Sequence, residues 1–463
     1  MPAVGSCPKV PIEVIPQKIW LTALAIVVVA PLFLGANRPF VWSLLSSISF
    51  ILLGLWVLYK PPAFHLRGLA AAFAMLLWLW LIYPFFQIVL MYIAAAIEPQ
   101  LFFGTGFPPS NSLLLFNSPV PVDIGGVIDG ALRESTTVIV GFLSLYFFRY
   151  RKFRNVFLAV LIISAAANAV FGMVNYFFDG VLLYFKPALK HWEAVTGTFV
   201  NKNHFASYLS LTLPVSIGVL IQRMAMVRGN RARGALDATV IPNTYTVLSL
   251  VTLMVVGLVL SKSLGAVLSL VFALMLMLLY RWGARNSMFH IGFLLSLAVF
   301  PFVLLFVNSL YSKELVSLAS SSISAQARIV QWADVVESLK HLFLTGSGVG
   351  SFEDYFEPYK SSVLGRYRYD HAHNDYLEIL VTRGLVGVSL LYAIIGSAFV
   401  GYRRQCKGDF APLDMTFFMM WSIIAFCLHM LVDFNFHIPA NQLIFVLLLS
   451  YVVAVTNYRT GTR

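Results

Sequence analysis

The sequence predicts an all-α polytopic membrane protein with about 12 transmembrane helices. Of its 463 residues, 59% are hydrophobic and only 11% are charged, whereas a soluble domain carries roughly a quarter charged residues. The apolar runs are also longer than the strands of a membrane β-barrel, which cross the bilayer in about ten residues. Basic residues recur in alternate connecting segments, as they do in helical membrane proteins.

The apolar runs define the predicted spans, because each spanning helix needs about 20 predominantly apolar residues. Twelve segments meet this requirement. In chain order they cover residues 19–36, 40–59, 67–92, 132–149, 155–178, 204–221, 244–261, 263–280, 289–309, 385–402, 415–432 and 440–457. Only the short sequence SKS joins the seventh and eighth segments, so one of these two could be re-entrant or broken.

The basic residues predict the orientation, since cytoplasmic segments carry an excess of lysine and arginine. With the N-terminus inside, the inside segments hold 19 of the 32 basic residues and only four acidic residues. The alternation holds across all twelve segments, and it places both termini in the cytoplasm. The net charge of +12 is then a matter of topology, and we expect no nucleic-acid partner because no basic patch is interleaved with aromatic residues.

Two long loops are predicted on the outside. Residues 98–131 are rich in proline and glycine, and residues 310–384 form the largest non-spanning segment. The second loop contains the sequence ARIVQWADVVESLKHLF, whose apolar residues recur at helical spacing and predict an amphipathic helix. These residues are Ile329, Trp332, Val336, Leu339 and Phe343. The following TGSGVGSF is predicted to be a turn, since no Gly-Lys-Ser/Thr follows it as in a P-loop.

Four polar clusters all fall on the outside in this topology. Polar residues near the membrane are costly and usually functional, so clusters that share one face indicate a site there. The clusters comprise Asn201, Lys202, Asn203 and His204; Lys262; Arg328 with residues 371–387; and Asp433, Asn435, His437 and Asn441.

Each cluster also has a purely structural explanation. Asn201 and Asn203 could cap the sixth helix, and Lys202 could extend along apolar surface toward water. Asp433 could pair with a cation only to hold the helices together. His437 could be an ordinary interfacial residue.

Residues 371–387, HAHNDYLEILVTRGLVG, permit three interpretations. HAHND fits the H-x-H-x-D pattern of binuclear metallohydrolases, which His437 could complete, but Tyr376 stands where those enzymes have another histidine. We therefore expect no metal and no cofactor. Asp375 and Glu378 have the D-x-x-E spacing of a capping box. Neither interpretation explains the second histidine and the arginine of this motif.

The third interpretation is catalytic. His373 can titrate near neutral pH and act as a general base. Several cations on the same face could hold an anionic leaving group, and arginine suits a diphosphate because its planar fork binds two oxygens. These cations are Lys202, Lys262, Arg328 and Arg383. A base beside cations at a membrane surface suits attack of a hydroxyl on a sugar carbon, with a lipid-linked diphosphate leaving.

This motif resembles the bacterial O-antigen ligase and polymerase superfamily, in which His-Asn is followed after nine residues by Gly-x-x-Gly. His373, Asn374, Gly384 and Gly387 occupy these positions. GTFVNKNHFASYL, the Arg328-x-x-x-Trp332 element before TGSGVGSF, and LVDFNFHIPAN are also similar to that family. The resemblance covers roughly residues 195–445.

The resemblance implies a GT-C-like glycosyltransferase of the bacterial inner membrane with a large periplasmic loop. It implies a metal-independent, inverting transfer of glycan from an undecaprenyl-diphosphate donor to lipid A–core or to a lipid-linked repeat unit. By resemblance, His373 is the base or positions the acceptor, Arg328 binds the donor diphosphate, and Asp433 is a third member. Further substrate contacts are expected from Lys202, Asn203, His204, Lys262, Asn374, Arg383 and His437.

The predicted organisation follows from this resemblance. Residues 1–194 form transmembrane helices 1–5 with the outside loop 98–131, and residues 195–457 form the ligase- or polymerase-like core with loop 310–384. Residues 458–463 form a cytoplasmic tail. Family members often carry Ser-Arg-Gly where this chain has Ser263-Leu264-Gly265. Lys262 or Lys202 could supply the missing charge, and the departure mildly favours a polymerase-like member.

Two other function classes remain open at this stage. A transporter of lipid-linked oligosaccharide, a flippase, would place polar residues at mid-membrane between repeats. Asn168 and Asn175 are the notable mid-span polar residues, and both could be helix-packing amides. A non-enzymatic component of polysaccharide assembly would make the histidines and arginines dispensable.

Overall fold

The computed structural model describes residues 14–59, 66–97, 124–178, 194–228, 236–237, 239–283, 325–339, 343–365, 368–406 and 414–460. The described residues form helices and connecting turns, with no β-strand among them. The α-helices are α1 (Val14–Leu32), α2 (Pro39–Tyr59), α3 (Gly68–Ile97), α4 (Ile124–Phe147), α5 (Arg151–Phe177), α6 (Lys202–Val227), α7 (Thr244–Leu260), α8 (Leu264–Gly283), α9 (Ala325–Ser338), α10 (Phe352–Phe356), α11 (Asp375–Gln405), α12 (Met415–His429) and α13 (Pro439–Thr460). The all-helical fold class is thereby confirmed.

The predicted spans match these helices closely. Every predicted span except the ninth overlaps one of them, and the ninth, residues 289–309, lies outside the described residues. Seven of the described helices are long and apolar enough to cross a membrane, and α1, α7 and α12 are shorter apolar helices. The chain is therefore an integral membrane protein, and the count of 12 spans stays a prediction.

Two predicted boundaries are wrong. The fourth helix begins at Ile124 rather than near residue 132, so the end of the predicted loop 98–131 is helical. The helix predicted at 385–402 begins at Asp375, inside the predicted loop 310–384. The first turn of the second helix carries Asp375 and Glu378, which hydropathy assigns to a loop, but both carboxylates contact histidines in the folded chain.

Helix α13 lies at the centre of the described bundle. Every residue from Pro439 to Thr456 is buried, and α4, α6, α11 and α12 pack against this helix. The approach to α4 is close, since a Cβ at Gly141 would lie 2.6 Å from Val446. The Ser450 hydroxyl donates to the Gly141 carbonyl at 3.1 Å. Small residues permit such contacts between membrane helices.

Asn168 in α5 acts as a packing amide. Its Nδ2 donates to the Thr198 hydroxyl at 2.7 Å, and its Oδ1 accepts from the Thr198 N–H at 3.1 Å. Asn168 is 1% exposed, so both of its polar atoms are satisfied inside the protein. This contact supplies no mid-membrane binding group of the kind that a transporter needs.

Gly384 interrupts α11 with φ 62° and ψ −168°. The backbone released by this break pairs with segment 343–348, where the Leu385 N–H donates to the Phe343 carbonyl at 2.8 Å. A Cβ at residue 384 would lie 2.2 Å from the carbonyl oxygen of Leu344. Positive φ and this close approach together require glycine, which explains the first glycine of the Gly-x-x-Gly motif.

Arg383, the residue before this break, is 1% exposed. It forms an ion pair with Glu134 of α4 and donates from Nη1 to the Trp80 carbonyl of α3 at 2.9 Å. Its guanidinium carbon lies 4.0 Å from the Trp80 ring centroid, and Trp80 Nε1 donates to Glu134 Oε2 at 2.8 Å. Because α3 and α4 engage this side chain fully, we do not retain the expectation that Arg383 contacts substrate.

Helix α9 confirms the predicted amphipathic helix, but its predicted buried face is only partly correct. Ile329 and Val336 are 52% and 54% exposed. Gln331 is fully buried instead, and its Nε2 donates to the His371 carbonyl at 2.8 Å. Hydrogen bonding to the segment before α11 therefore sets which side of α9 faces inward.

The Arg383–Glu134 pair gives a first prediction. We expect Glu134→Gln to lower the free energy of unfolding by about 3–5 kcal/mol, because it leaves a buried guanidinium without its counter-charge. Thermal and denaturant unfolding of the purified protein in detergent measure this loss. The double variant Glu134→Gln/Arg383→Met should recover most of it, since no buried charge is then left alone.

Arg368 provides the matched control. It pairs with Glu353 and Asp354 at 2.8 and 2.7 Å, with its side chain 58% exposed. Arg368→Gln should cost no more than about 1 kcal/mol, as for other exposed pairs. Equal losses in Glu134→Gln and Arg368→Gln would show that the buried pair does not hold α11 in place.

Candidate functional site

Asp433 is the centre of a polar site at one end of the bundle. It lies in the turn between α12 and α13 and is 1% exposed. Asn203 Nδ2, at the start of α6, donates to Asp433 Oδ2 at 2.6 Å. The Phe434 N–H donates to Oδ1 at 3.0 Å, and His373 Nδ1 lies 3.4 Å from the same oxygen.

The charge of Asp433 is stabilised by these contacts. Burial alone would raise the pKa of Asp433. The hydrogen bond from His373 and the positive charge of Arg328 outweigh burial and hold the pKa well below its ordinary value. Asp433 is therefore an anion at neutral pH, and an anion only accepts hydrogen bonds.

His373 is held in an unusual backbone conformation with φ 51°. Only a small share of non-glycine residues adopt positive φ, and they cluster at functional sites. Because Asp433 is an anion, the proton of a neutral His373 lies on Nδ1, and Nε2 keeps its lone pair. The side chain is 13% exposed, so Nε2 can serve as a general base for a bound hydroxyl.

Phe434 is an aromatic platform for three histidine rings. His371 stacks on it at 4.1 Å between centroids with an interplanar angle of 15°. His204 and His373 meet it edge-on at 4.4 and 4.9 Å. His204, a predicted site residue, is 5% exposed, so it belongs to the wall of the site.

Arg328 of α9 reaches the same turn. Its Nη1 donates to the Val432 carbonyl at 2.9 Å, one residue before Asp433. Its buried Nε has no hydrogen-bond partner in the part of the chain that the structure describes. The neighbouring Trp332 donates from Nε1 to the Ala372 carbonyl at 2.9 Å, so α9 is tied to the segment that carries the catalytic candidate.

The N-terminus of α11 differs from the predicted capping box. Asn374 is the N-cap, and its Oδ1 accepts from the N–H groups of Tyr376 and Leu377 at 3.1 and 3.2 Å. The side chain of Asp375 instead accepts from the Phe436 N–H at 2.9 Å. The prediction was displaced by one residue because Asp375 has a more distant partner. Asn201, by contrast, caps α6, which is the structural alternative that its position before this helix allowed.

A second group of carboxylates and histidines lies beside Phe434. His371 Nδ1 is 2.8 Å from Glu378 Oε1, and the Ala372 N–H donates to Glu378 Oε2 at 2.9 Å. His437 lies between two carboxylates, with Nδ1 2.7 Å from Asp375 Oδ1 and Nε2 3.3 Å from Glu378 Oε1. Because both ring nitrogens are engaged within the protein, His437 supports the site rather than facing a substrate.

The ionisation of His437 follows from these neighbours. Burial alone would lower its pKa, but the charge of Glu378 and the hydrogen bond with Asp375 raise the pKa to about 8. His371, Glu378 and His437 also offer ligand-type atoms within 4.8 Å of one another. Hydrogen bonding accounts for this arrangement, because the two contacts of Glu378 Oε1 are at hydrogen-bond or ion-pair distances of 2.8 and 3.3 Å.

The structure thus brings together most of the predicted site residues. His373, Asp433, Asn203, Arg328 and His204 surround the turn after α12, whereas Asn374 and His437 support it. Lys202 is the first residue of α6, next to this group. Lys262 is exposed in the turn between α7 and α8, with φ 52°. None of the contacts described above involves either lysine.

Some residues of the site were not predicted from the sequence. Phe434 gave no signal because an aromatic residue in an apolar chain is unremarkable, although it lies inside the predicted LVDFNFHIPAN cluster. His429 is 1% exposed and interacts electrostatically with Asp433 and Arg328. Its position at the end of α12, one helical turn before Asp433, could have indicated it.

Part of the chain is also similar to a known protein family. The family model described as O-antigen ligase matches residues 249–392. The matched region spans α7 to the middle of α11 and includes Arg328, His373 and Gly384. No curated protein matches the chain. This match over residues 249–392 supports the resemblance to the O-antigen ligase and polymerase superfamily that the motifs predicted.

Proposed function

We propose that the protein is a metal-independent, inverting glycosyltransferase of the bacterial inner membrane. It transfers glycan from an undecaprenyl-diphosphate donor to an acceptor hydroxyl on the periplasmic side. The observation that carries this proposal is the pairing of His373 with the buried anion Asp433 beside Arg328. A base oriented by a carboxylate and a cation for the leaving group are the parts that this reaction requires.

The proposed step is a direct displacement at the anomeric carbon. Nε2 of His373 takes the proton of the acceptor hydroxyl as its oxygen forms the new bond to the sugar. The bond from that carbon to the diphosphate oxygen breaks, and its electron pair leaves with the diphosphate. Asp433 stabilises the imidazolium that forms, as the aspartate does in a catalytic triad.

Arg328 is placed to receive the charge of the leaving group. Its Nη1 is fixed by the Val432 carbonyl, which orients the guanidinium, while Nε has no partner among the described residues. Arginine donors bind phosphate oxygens in charge-assisted pairs, and they act best where water is largely excluded. Asn203 and His204 form the adjacent wall, and Lys202 and Lys262 lie at the same end of the bundle.

The topology from the basic residues supports a periplasmic site and cytoplasmic termini. For the acceptor, a lipid-linked repeat unit agrees better with Ser263-Leu264-Gly265, where the ligases often carry an arginine. We therefore propose a polymerase-type enzyme, with lipid A–core as the acceptor of the alternative ligase. Residues 195–457 supply the reaction site, and residues 1–194 complete the membrane domain.

The glycans of a deletion strain test this function. We expect loss of the protein to leave single repeat units on the lipid carrier or on lipid A–core, whereas a ligase would leave bare core and long polymer on the carrier. A His373→Ala copy should not restore the wild-type glycan, because loss of a general base lowers the rate by about 10²- to 10⁴-fold. Gel analysis of glycans and of lipid-linked intermediates measures both outcomes.

Immunoblotting of membranes controls for insertion of the variant. A His373→Ala copy that restores normal glycan would remove His373 from the mechanism. Unchanged glycan in the deletion strain itself would contradict the proposed activity.

The role of Arg328 is testable by a conservative change. We expect Arg328→Lys to lower kcat by about 10- to 100-fold, because lysine keeps the charge but loses the planar fork. Initial rates with purified enzyme and lipid-linked donor measure this. Arg368→Lys, in the same predicted outside loop 310–384 but in an exposed ion pair, should leave kcat unchanged. Equal rates for wild type and Arg328→Lys would exclude a diphosphate-binding arginine here.

A further inference from the structure

The placement of His373 needs an explanation, because its backbone is strained. Its φ of 51° is unfavourable for a residue with a side chain and persists only where the surroundings fix it. The chain on both sides of His373 must therefore be anchored.

The anchors on the N-terminal side converge on Glu378. Gln331 and Trp332 of α9 hold the carbonyl groups of His371 and Ala372 at 2.8 and 2.9 Å. Glu378 then holds the same two residues from the other side, through the Ala372 N–H and the His371 ring. On the C-terminal side, the backbone N–H of Asp375 donates to the Met430 carbonyl at 2.9 Å.

Glu378 needs a counter-charge to hold this segment, because a second carboxylate, Asp375, lies one turn away on the same face of α11. Both carboxylates are buried, at 2% and 0% exposed. Like charges at this spacing repel each other, and buried charges without a partner are costly. A cation between them is therefore a condition for the arrangement.

His437 meets this condition. Its Nδ1 faces Asp375 Oδ1 at 2.7 Å and its Nε2 faces Glu378 Oε1 at 3.3 Å. The Nδ1 contact is a hydrogen bond and the Nε2 contact is at ion-pair distance. Because ionised carboxylates only accept hydrogen bonds, this placement favours the imidazolium, which carries a proton on each nitrogen. Two further charges of α4 face this group: Arg133 acts on Glu378, and Glu134 acts on His437.

We propose that His437 is a positioning residue, whose imidazolium clamps Asp375 to Glu378 and thereby fixes His373 against Asp433. This role rests on the proposed function, because it concerns the base of that reaction. It also separates two kinds of histidine in one site: His373 exchanges a proton with the acceptor, whereas His437 keeps its protons and acts through Glu378.

Charge-neutralising variants test the clamp. His437→Gln leaves two buried carboxylates facing each other, and we expect kcat to fall by about 10- to 100-fold, since a small misplacement of a catalytic group costs this much. The KM for donor should stay within about twofold, because His437 does not touch substrate. Adding Asp375→Asn removes one of the two charges, so the double variant should regain at least about tenfold of the lost kcat.

Asp354→Asn supplies the matched control, because Asp354 is a 46%-exposed partner of Arg368. Added to His437→Gln, it should restore nothing. Equal impairment of His437→Gln with and without Asp375→Asn would overturn the clamp. A raised KM with unchanged kcat would also overturn it, since that result would make His437 a substrate contact.

Two measurements, histidine labelling and zinc content, test the clamp independently of glycan transfer. Carbethoxylation followed by mass spectrometry reports how accessible the His373 ring is. We expect its labelling rate to rise several-fold in His437→Gln and to return in the double variant. If wild-type protein transfers no glycan while labelling follows this pattern, the proposed function fails and the clamp stands. One equivalent of zinc in purified wild type, lost in His437→Gln, would overturn the clamp in favour of a metal site.

Discussion

The buried carboxylate of Asp433 is the constraint on which the site depends. A carboxylate at 1% exposure is tolerated only where hydrogen bonds and counter-charges replace water. Here Asn203 of α6, His373 before α11 and Arg328 of α9 provide them, together with the Phe434 N–H. Satisfying one anion therefore draws three distant segments of the chain to one turn, and the same contacts orient the base.

The sequence predicts those features that depend on neighbours along the chain. Apolar runs place the helices because hydropathy is a local property. Capping by Asn201 was one of two explanations that the sequence offered, because capping joins residues only two or three positions apart. The polar clusters were also found, since charge is conspicuous in an apolar chain. Their side-by-side placement at one end, with Asn203 bonded to Asp433 across 230 positions, agrees with the topology deduced from basic residues.

The partners of the buried charged side chains could not be predicted from the sequence, because they lie at distant positions in the chain. Arg383 stands in a polar motif, and nothing nearby shows that its partner is Glu134, 249 positions earlier. The break at Gly384 interrupts α11 directly after this buried side chain, and the local sequence does not indicate its partner. Asp375 is similar: its local pattern suggests a cap, but His437, 62 positions away, competes for the carboxylate and leaves capping to Asn374.

Phe434 contacts both histidine–carboxylate groups of the site. Its ring stacks against His371, which contacts Glu378 of the proposed clamp, and its edge or face meets the ring of His373, the proposed base, at a steep angle. A base must gain and release a proton in every cycle, whereas an imidazolium between two buried carboxylates must keep its charge or the carboxylates repel each other. The Phe434 ring contacts a histidine of each group and carries no exchangeable proton, so it provides no path for a proton from one group to the other.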